Sequence, residues 1–182
     1  MTTFKLNSTA ASLLGFLHER PMAGWDLLET AQQRIGNFWS LTQSQVYREL
    51  AAMAEAGLIE AGERGRRERQ PYTLTEAGRA AFQDWIRQEP GPETIRIPLL
   101  LTMAFGSHLP PDRLAAILEH QRTRHSERLR SYEQRQSAIP PAYREANPAA
   151  VATLDLGIAY ERAFINWLDQ LPASIRGGDA AA

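Results

Sequence analysis

Residues 64–69, Arg-Gly-Arg-Arg-Glu-Arg, place four guanidinium groups (Arg64, Arg66, Arg67 and Arg69) in one short loop of a chain whose formal net charge is only −1. A guanidinium is permanently charged and its planar fork of donors matches phosphate geometry. A second polar group lies upstream, in Thr42, Gln43, Ser44, Gln45, Tyr47 and Arg48. Arginine can pair with a guanine edge and glutamine with an adenine edge. Serine, tyrosine and a helix N-terminus suit phosphate oxygens. The chemistry these residues offer is recognition of a polyanion, with the loop aimed at a narrow, strongly negative minor groove. The competing reading is a solvated loop beside a wet helix face. The elements around the two groups decide between these readings.

Asn7 or Ser8 can cap a first helix, in which Leu13, Leu14 and Leu17 recur at helical spacing before Pro21 stops the pattern. A second helix follows, with Trp25, Leu28 and Ile35 on one stripe and Gly36 at its end. Thr42 and Gln45 form a capping box for a third, which runs to about Ala56 and stops at Gly57. With about 100° per residue, Val46, Leu50 and Met53 must face the core. Ser44 and Arg48 then face outward, flanked by Gln43, Gln45 and Tyr47. Residues 58–63 and 70–75 have strand composition and flank the arginine loop, with Pro71 suited to an edge strand. Thr75 caps a fourth helix, whose stripe is Ala77, Ala81, Phe82 and Trp85. Three helices followed by a hairpin is the order of a winged helix-turn-helix, whose third helix enters the DNA major groove.

Three prolines and a glycine in residues 89–98 read as a linker. The expected fold is mainly α: a winged helix-turn-helix over 1–90 (three helices, a two-stranded wing and a fourth helix), an all-α dimerisation domain over 91–175, and a flexible tail at 176–182. The second unit opens on a short apolar helix ending at Gly106. A long polar helix follows from Pro110 to about Ser137, residues 139–148 break the chain, and 149–171 form the last helix. Val151, Leu154, Ile158, Ile165 and Leu168 make one stripe of that helix, interrupted by Glu161, and are taken as the dimerisation face. A second stripe runs through Leu156, Tyr160, Phe164, Trp167 and Leu171. A helix apolar on two faces must be covered on both, one by its own chain and one by a partner. The cationic middle of the long helix, from His120 to Arg130, reads as a solvated face.

Other chemistries find little support. Without cysteine there is no disulfide or thiolate metal site. His120 and His125 are five apart, which does not place two ligands on one helix face, so no metal and no cofactor is expected. No nucleophile elbow and no phosphate-cradling glycine loop is present, so the chain does not read as an enzyme. The sequence shows neither a secretory signal nor an apolar run of about 18 residues, and the cytoplasm is the expected location. The alternative to a plain DNA-binding regulator is a ligand sensor, with Trp39, Tyr160, Phe164 and Trp167 lining a pocket for a small aromatic effector. A regulator with dimer helices drawn from both chain ends is disfavoured, because residues 1 to 6 are too short to supply one.

Three segments, PMAGWDLL (21–28), LTQSQVYRELAAMAEAGLIE (41–60) and RQPYTLTEAGRAAF (69–82), resemble the PadR family of bacterial transcriptional regulators. The shared features are Met-x-Gly-aromatic-Asp-Leu, Tyr47 with Leu50, and Tyr72 through Gly78; Trp25 stands where the family usually has tyrosine, which keeps the aromatic packing role. The segments IPLLLTMAFGSHLPPDRLAAILEHQR and TLDLGIAYERAFINWLDQL resemble a virulence-activator-type C-terminal domain. The resemblance spans about residues 6 to 171. It implies a homodimeric regulator, usually a repressor, that binds an inverted-repeat operator in double-stranded DNA. Some family members respond to phenolic acids or bulky hydrophobic compounds.

Overall fold

The computed structural model describes residues 4–36, 38–63, 70–93 and 95–176. It divides into two compact units, 1–92 and 93–182.

The first unit begins with α1 (Ser8–Leu17), where the Asn7 side chain accepts the Ala10 amide at 2.9 Å. A two-residue strand, β1 (Met22–Ala23), leads into α2 (Gly24–Arg34). α3 (Gln43–Glu55) has the expected capping box, in which Thr42 accepts the Gln45 amide while the Gln45 side chain accepts the Thr42 amide. At its end Gly57 adopts φ 71°, and the Leu58 and Gly57 amides return to the Met53 and Ala54 carbonyls, which satisfies two carbonyls the helix leaves open. β2 (Ile59–Ala61), β3 (Pro71–Leu74) and α4 (Glu76–Ile86) complete the unit. Leu13, Leu14, Leu27, Val46, Leu50, Met53 and Ile59 are fully buried. Burial of each such side chain is worth about 1.5–3 kcal/mol.

The structure corrects the strand reading. The sheet has three strands in the order β1-β3-β2, with β3 antiparallel to both neighbours. Pro71 therefore begins a central strand rather than an edge one. Its position at the strand's first residue makes this tolerable, and its carbonyl still accepts the Gly62 amide at 2.8 Å. β1 is too short to leave an alternating pattern in the sequence. Two helix faces also shift. Trp25 is 51 % exposed because Gly24, Leu27, Leu28 and Ala31 take the core side of α2. On α4, Gly78 is buried where Ala77 was expected, since Ala77 is exposed.

Thr75 ties the strands to α4. Its hydroxyl lies 2.8 and 2.9 Å from the carbonyl oxygens of Gly57 and Leu58, and it accepts the Gly78 amide at 3.0 Å. α4 thus sits so close to the end of α3 that a Cβ on Gly78 would lie 2.1 Å from the Leu58 oxygen.

The second unit contains α5 (Pro98–Ala104), a 3-10 turn (Gly106–His108), α6 (Pro111–Ser137), α7 (Pro141–Ala146), α8 (Pro148–Asp169) and α9 (Ala173–Arg176). α5 to α8 each start on a proline, which suits a position whose amide has no helical acceptor. α7 falls inside the segment read as a chain break. The pairs Arg122–Asp169 (2.7 Å) and Gln136–Asp155 (2.5 Å) show that α6 and α8 run antiparallel.

Their seam has two apolar clusters, one built on Leu99, Leu118, Phe164 and Leu168, the other on Tyr132, Leu154 and Ile158. Between them Glu161, 3 % exposed, bonds His125 Nδ1 and lies 3.2 Å from Arg128 Nε. His125 is thus buried in the seam rather than part of a solvated face. The seam also corrects the dimer-face reading: Val151, Leu154, Ile158 and Leu168 are buried within this chain, and Ile165 is half-buried. Glu161 interrupts the stripe because its partners sit on α6. Among the described residues no helix is long and apolar enough to cross a membrane.

Gly78→Ala should destabilise the first unit by about 2 kcal/mol in urea titrations, because the clash is with backbone. Gly91→Ala, where the added carbon meets nothing within 4 Å, should leave the midpoint unchanged. Glu161→Ala should cost about 3 kcal/mol, because it leaves His125 and Arg128 without their buried partner. Arg122 holds the Asp169 carboxyl below the usual carboxylate range, chiefly through their hydrogen bond. That contribution is present above the unfolded carboxylate pKa and is lost as pH falls through the depressed value. Asp169→Asn should flatten the acid limb of the stability profile.

Candidate nucleic-acid interface

α3 combines an apolar inner face with an exposed outer one. Val46, Leu50 and Met53 are each 0 % exposed, while Thr42, Gln43, Ser44, Tyr47 and Arg48 are exposed and Gln45 is half-buried. The structure therefore brings all six side chains proposed for the third helix to its N-terminal half.

Their hydrogen bonds assign them different capacities. Gln45 Oε1 lies 2.9 Å from the Thr42 amide and 3.0 Å from its hydroxyl, so the cap occupies its acceptor. Gln45 can no longer present the donor–acceptor pair that an adenine edge requires, which leaves that role to Gln43. Ser44 Oγ is 3.1 Å from the Thr42 hydroxyl. The amides of the first helical turn lack intrahelical acceptors, so this end of α3 is chemically suited to a phosphate oxygen.

Tyr47 is braced from below. A Cβ on Gly24 would lie 2.8 Å from the Tyr47 ring and 3.2 Å from Leu50 Cδ1, so the start of α2 packs directly on α3 there. The Tyr47 ring is fixed while 43 % of the residue stays exposed.

Sequence reasoning missed Glu49. It is 6 % exposed, accepts Asn7 Nδ2 at 3.0 Å and accepts Arg48 NH2 at 3.1 Å. The signal was present: three residues beyond Val46 and four before Met53, Glu49 lies on the edge of the buried stripe.

Arg64, Arg66, Arg67 and Arg69 lie outside the described residues. The base of their loop is defined, because Gln70 Nε2 donates to the Gly62 carbonyl at 3.2 Å and Gly62 pairs with Pro71.

The proposed effector residues fall in different units. Trp39, 40 % exposed, belongs to the first. In the second, Phe164 stacks on His125 at 3.9 Å between centroids and meets Trp167 and Tyr160 at 5.3 and 5.9 Å. Burial raises the Tyr160 hydroxyl pKa above its ordinary value. This row is packed core with one exposed edge, and within neither unit do the four residues form one pocket. The cleft between α6, α8 and α9 is lined instead by polar groups, chiefly Glu119, Arg122, Asp169 and Arg176. Among the described residues no group of three His, Asp or Glu side chains could hold a metal ion.

A capped third helix with an open outer face, followed by a hairpin and joined to a helical unit, defines a winged-helix DNA-binding regulator. Comparison with known proteins agrees. A profile described as the PadR-like family of transcriptional regulators matches residues 13–84, and one described as the virulence activator alpha C-terminal domain matches 95–175. The negative transcriptional regulator PadR of Bacillus subtilis (strain 168) is 28 % identical over an alignment of 173 residues that covers 90 % of this chain and 95 % of that protein. The crystal structure of Bacillus subtilis PadR in complex with operator DNA has a TM-score of 0.74 at 23 % identity, covering 91 % of this chain and 97 % of that one. The same protein in complex with p-coumaric acid gives 0.68 at 23 % identity, covering 94 % and 98 %. The chain thus carries a PadR-like transcriptional regulator domain followed by a virulence activator alpha C-terminal domain.

Thr42→Ala removes the capping box and should cost about 1 kcal/mol of stability, measured by thermal melting. The same variant should weaken DNA binding at every sequence, because the disturbed helix end serves phosphate rather than bases.

Proposed function

We propose that this chain is a homodimeric, sequence-specific repressor acting in the cytoplasm on an inverted-repeat operator. The observation that carries this reading is the outer face of α3, where Arg48 and Gln43 stand exposed above a fully buried apolar stripe. A helix held that rigidly can present side chains to base edges at fixed spacing. The solved relative with operator DNA supports the same use of the fold. The wing arginines Arg64, Arg66, Arg67 and Arg69 are assigned to the minor groove and its phosphates, because their loop joins β2 to β3.

The dimer face is reassigned. The exposed apolar stripe of α8 runs through Ala152, Leu156, Ala159 and Ala163, with Leu156 70 % exposed. Tyr160, 46 % exposed, borders it. Small residues on this stripe let a partner helix approach closely, and Leu156 supplies the apolar anchor. Regulators of this family are dimeric. Two recognition helices would then meet half-sites about 34 Å apart.

A second reading adds effector control. The relative solved with p-coumaric acid favours it, as does the exposed edge of Tyr160 beside Phe164 and Trp167. Titration with phenolic acids should quench tryptophan fluorescence, and Trp167→Phe should reduce that response.

Fluorescence anisotropy with DNA from upstream of the protein's own gene, against a scrambled fragment over a salt series, tests the main reading. Preferential, salt-dependent binding is expected. Arg48→Ala should cost about 1–3 kcal/mol and relax the preference at one base pair. The double variant Arg66→Ala, Arg67→Ala should weaken all sequences alike and flatten the salt slope. Leu156→Glu should yield a folded monomer in sedimentation, whereas Leu168→Ala should lower stability first. Equal binding of both fragments by wild type and Arg48→Ala would sink the assignment of α3.

A further inference from the structure

We propose that the buried carboxylate of Glu49 is a specificity-determining positioning residue, which holds the Arg48 guanidinium for a guanine edge. The inference rests on the reading of α3 as the recognition helix.

Glu49 has a side chain only 8 % exposed, next to an Arg48 side chain 68 % exposed. A buried carboxylate persists only where hydrogen bonds replace water. Here Oε2 accepts Asn7 Nδ2 at 3.0 Å and Oε1 accepts Arg48 NH2 at 3.1 Å. Successive residues on a helix point about 100° apart, so Arg48 must fold back along the side of α3 to reach its neighbour. That bond restricts the arginine before any ligand arrives, and freedom already given up is not lost again on binding. The remaining N–H donors stay open to solvent.

The support reaches back into the core. Asn7 is itself fixed as the cap of α1, where its Oδ1 accepts the Ala10 amide at 2.9 Å. Its two side-chain atoms thus serve two helices, one the end of α1 and the other the carboxylate of α3. α1 packs on the buried face of α3 through Leu13 and Leu14. Arg48 is therefore referenced to the body of the unit and not only to its own helix.

The carboxylate has a second effect. It offsets the arginine's charge, which weakens sequence-independent attraction to phosphate. It leaves the directional donors that pair with guanine O6 and N7. Glu49 therefore shifts Arg48 from backbone contact toward base reading.

The test is selection from a randomised duplex library with the full-length protein and its Arg48→Ala and Glu49→Gln variants, followed by anisotropy on the enriched site. Wild type should enrich a site with a guanine whose replacement weakens binding at least about fivefold, and Arg48→Ala should abolish that difference. Glu49→Gln keeps the side chain's shape and an acceptor for Asn7 but removes the charge. It should shrink the guanine preference about threefold or more while binding to random DNA strengthens and the salt slope steepens. If wild type enriches nothing, the recognition-helix reading fails and this inference with it. If a site is enriched but Glu49→Gln discriminates as wild type does, only the role of Glu49 is overturned. Should Glu49→Gln melt below assay temperature, Asn7→Ser replaces it. Serine keeps a capping oxygen and removes the amide donor to Glu49. A reduced guanine preference is again expected, and an unchanged one overturns the proposal.

Discussion

The buried face of α3 is the constraint from which the first unit follows. Val46, Leu50 and Met53 have no exposed surface, and α1, α2 and β2 are arranged to remove it. One side of the helix is thereby fixed, and the other is left open at its N-terminal half. Nothing in the cap, the glycine stop or the strand that follows would be useful if α3 could rotate. The Schellman-type end at Gly57 aims the chain straight into β2. The Leu58 carbonyl then accepts both the amide and the hydroxyl of Thr75, so the exit from α3 and the entry into α4 share one acceptor.

Much of this was legible because it is local. The Thr42–Gln45 box, the Asn7 cap, the Gly57 stop and the Thr75 cap each need only a few neighbouring residues, and each appears as its spacing implies. The outward placement of Ser44 and Arg48 followed from helix period alone. The misreadings concern partners distant in sequence. β1 exists because β3 offers it an edge, and two residues cannot announce that in advance. Helical spacing puts Trp25 on one stripe with Leu28 and Ile35, although the helix turns Gly24, Leu27, Leu28 and Ala31 inward.

The second unit shows the same limit more sharply. Both stripes of α8 are apolar in sequence, and the position of α6 decides that Phe164 of the second is covered with the first while Leu156 and Tyr160 stay exposed. Glu161 looked like a flaw in the stripe, yet it marks the side that faces α6, because its partners His125 and Arg128 are there. A buried acid on a helix otherwise lined with leucine and isoleucine carries directional information that the apolar residues lack. Glu49 is its counterpart in α3, and there too the partner, Asn7, lies 42 positions away in the chain.

The polar centre of the α6–α8 seam also governs how those helices can move. Leucine and isoleucine contacts alone tolerate sliding, since one apolar side chain replaces another after a turn. A carboxylate flanked by two apolar clusters does not. Displacing α8 by one turn, about 5.4 Å, would strip Glu161 of its partners and press its charge against hydrocarbon. The pair therefore has a single low-energy alignment and behaves as a stiff beam. Strain applied at one end would pass along its length instead of dissipating as slippage.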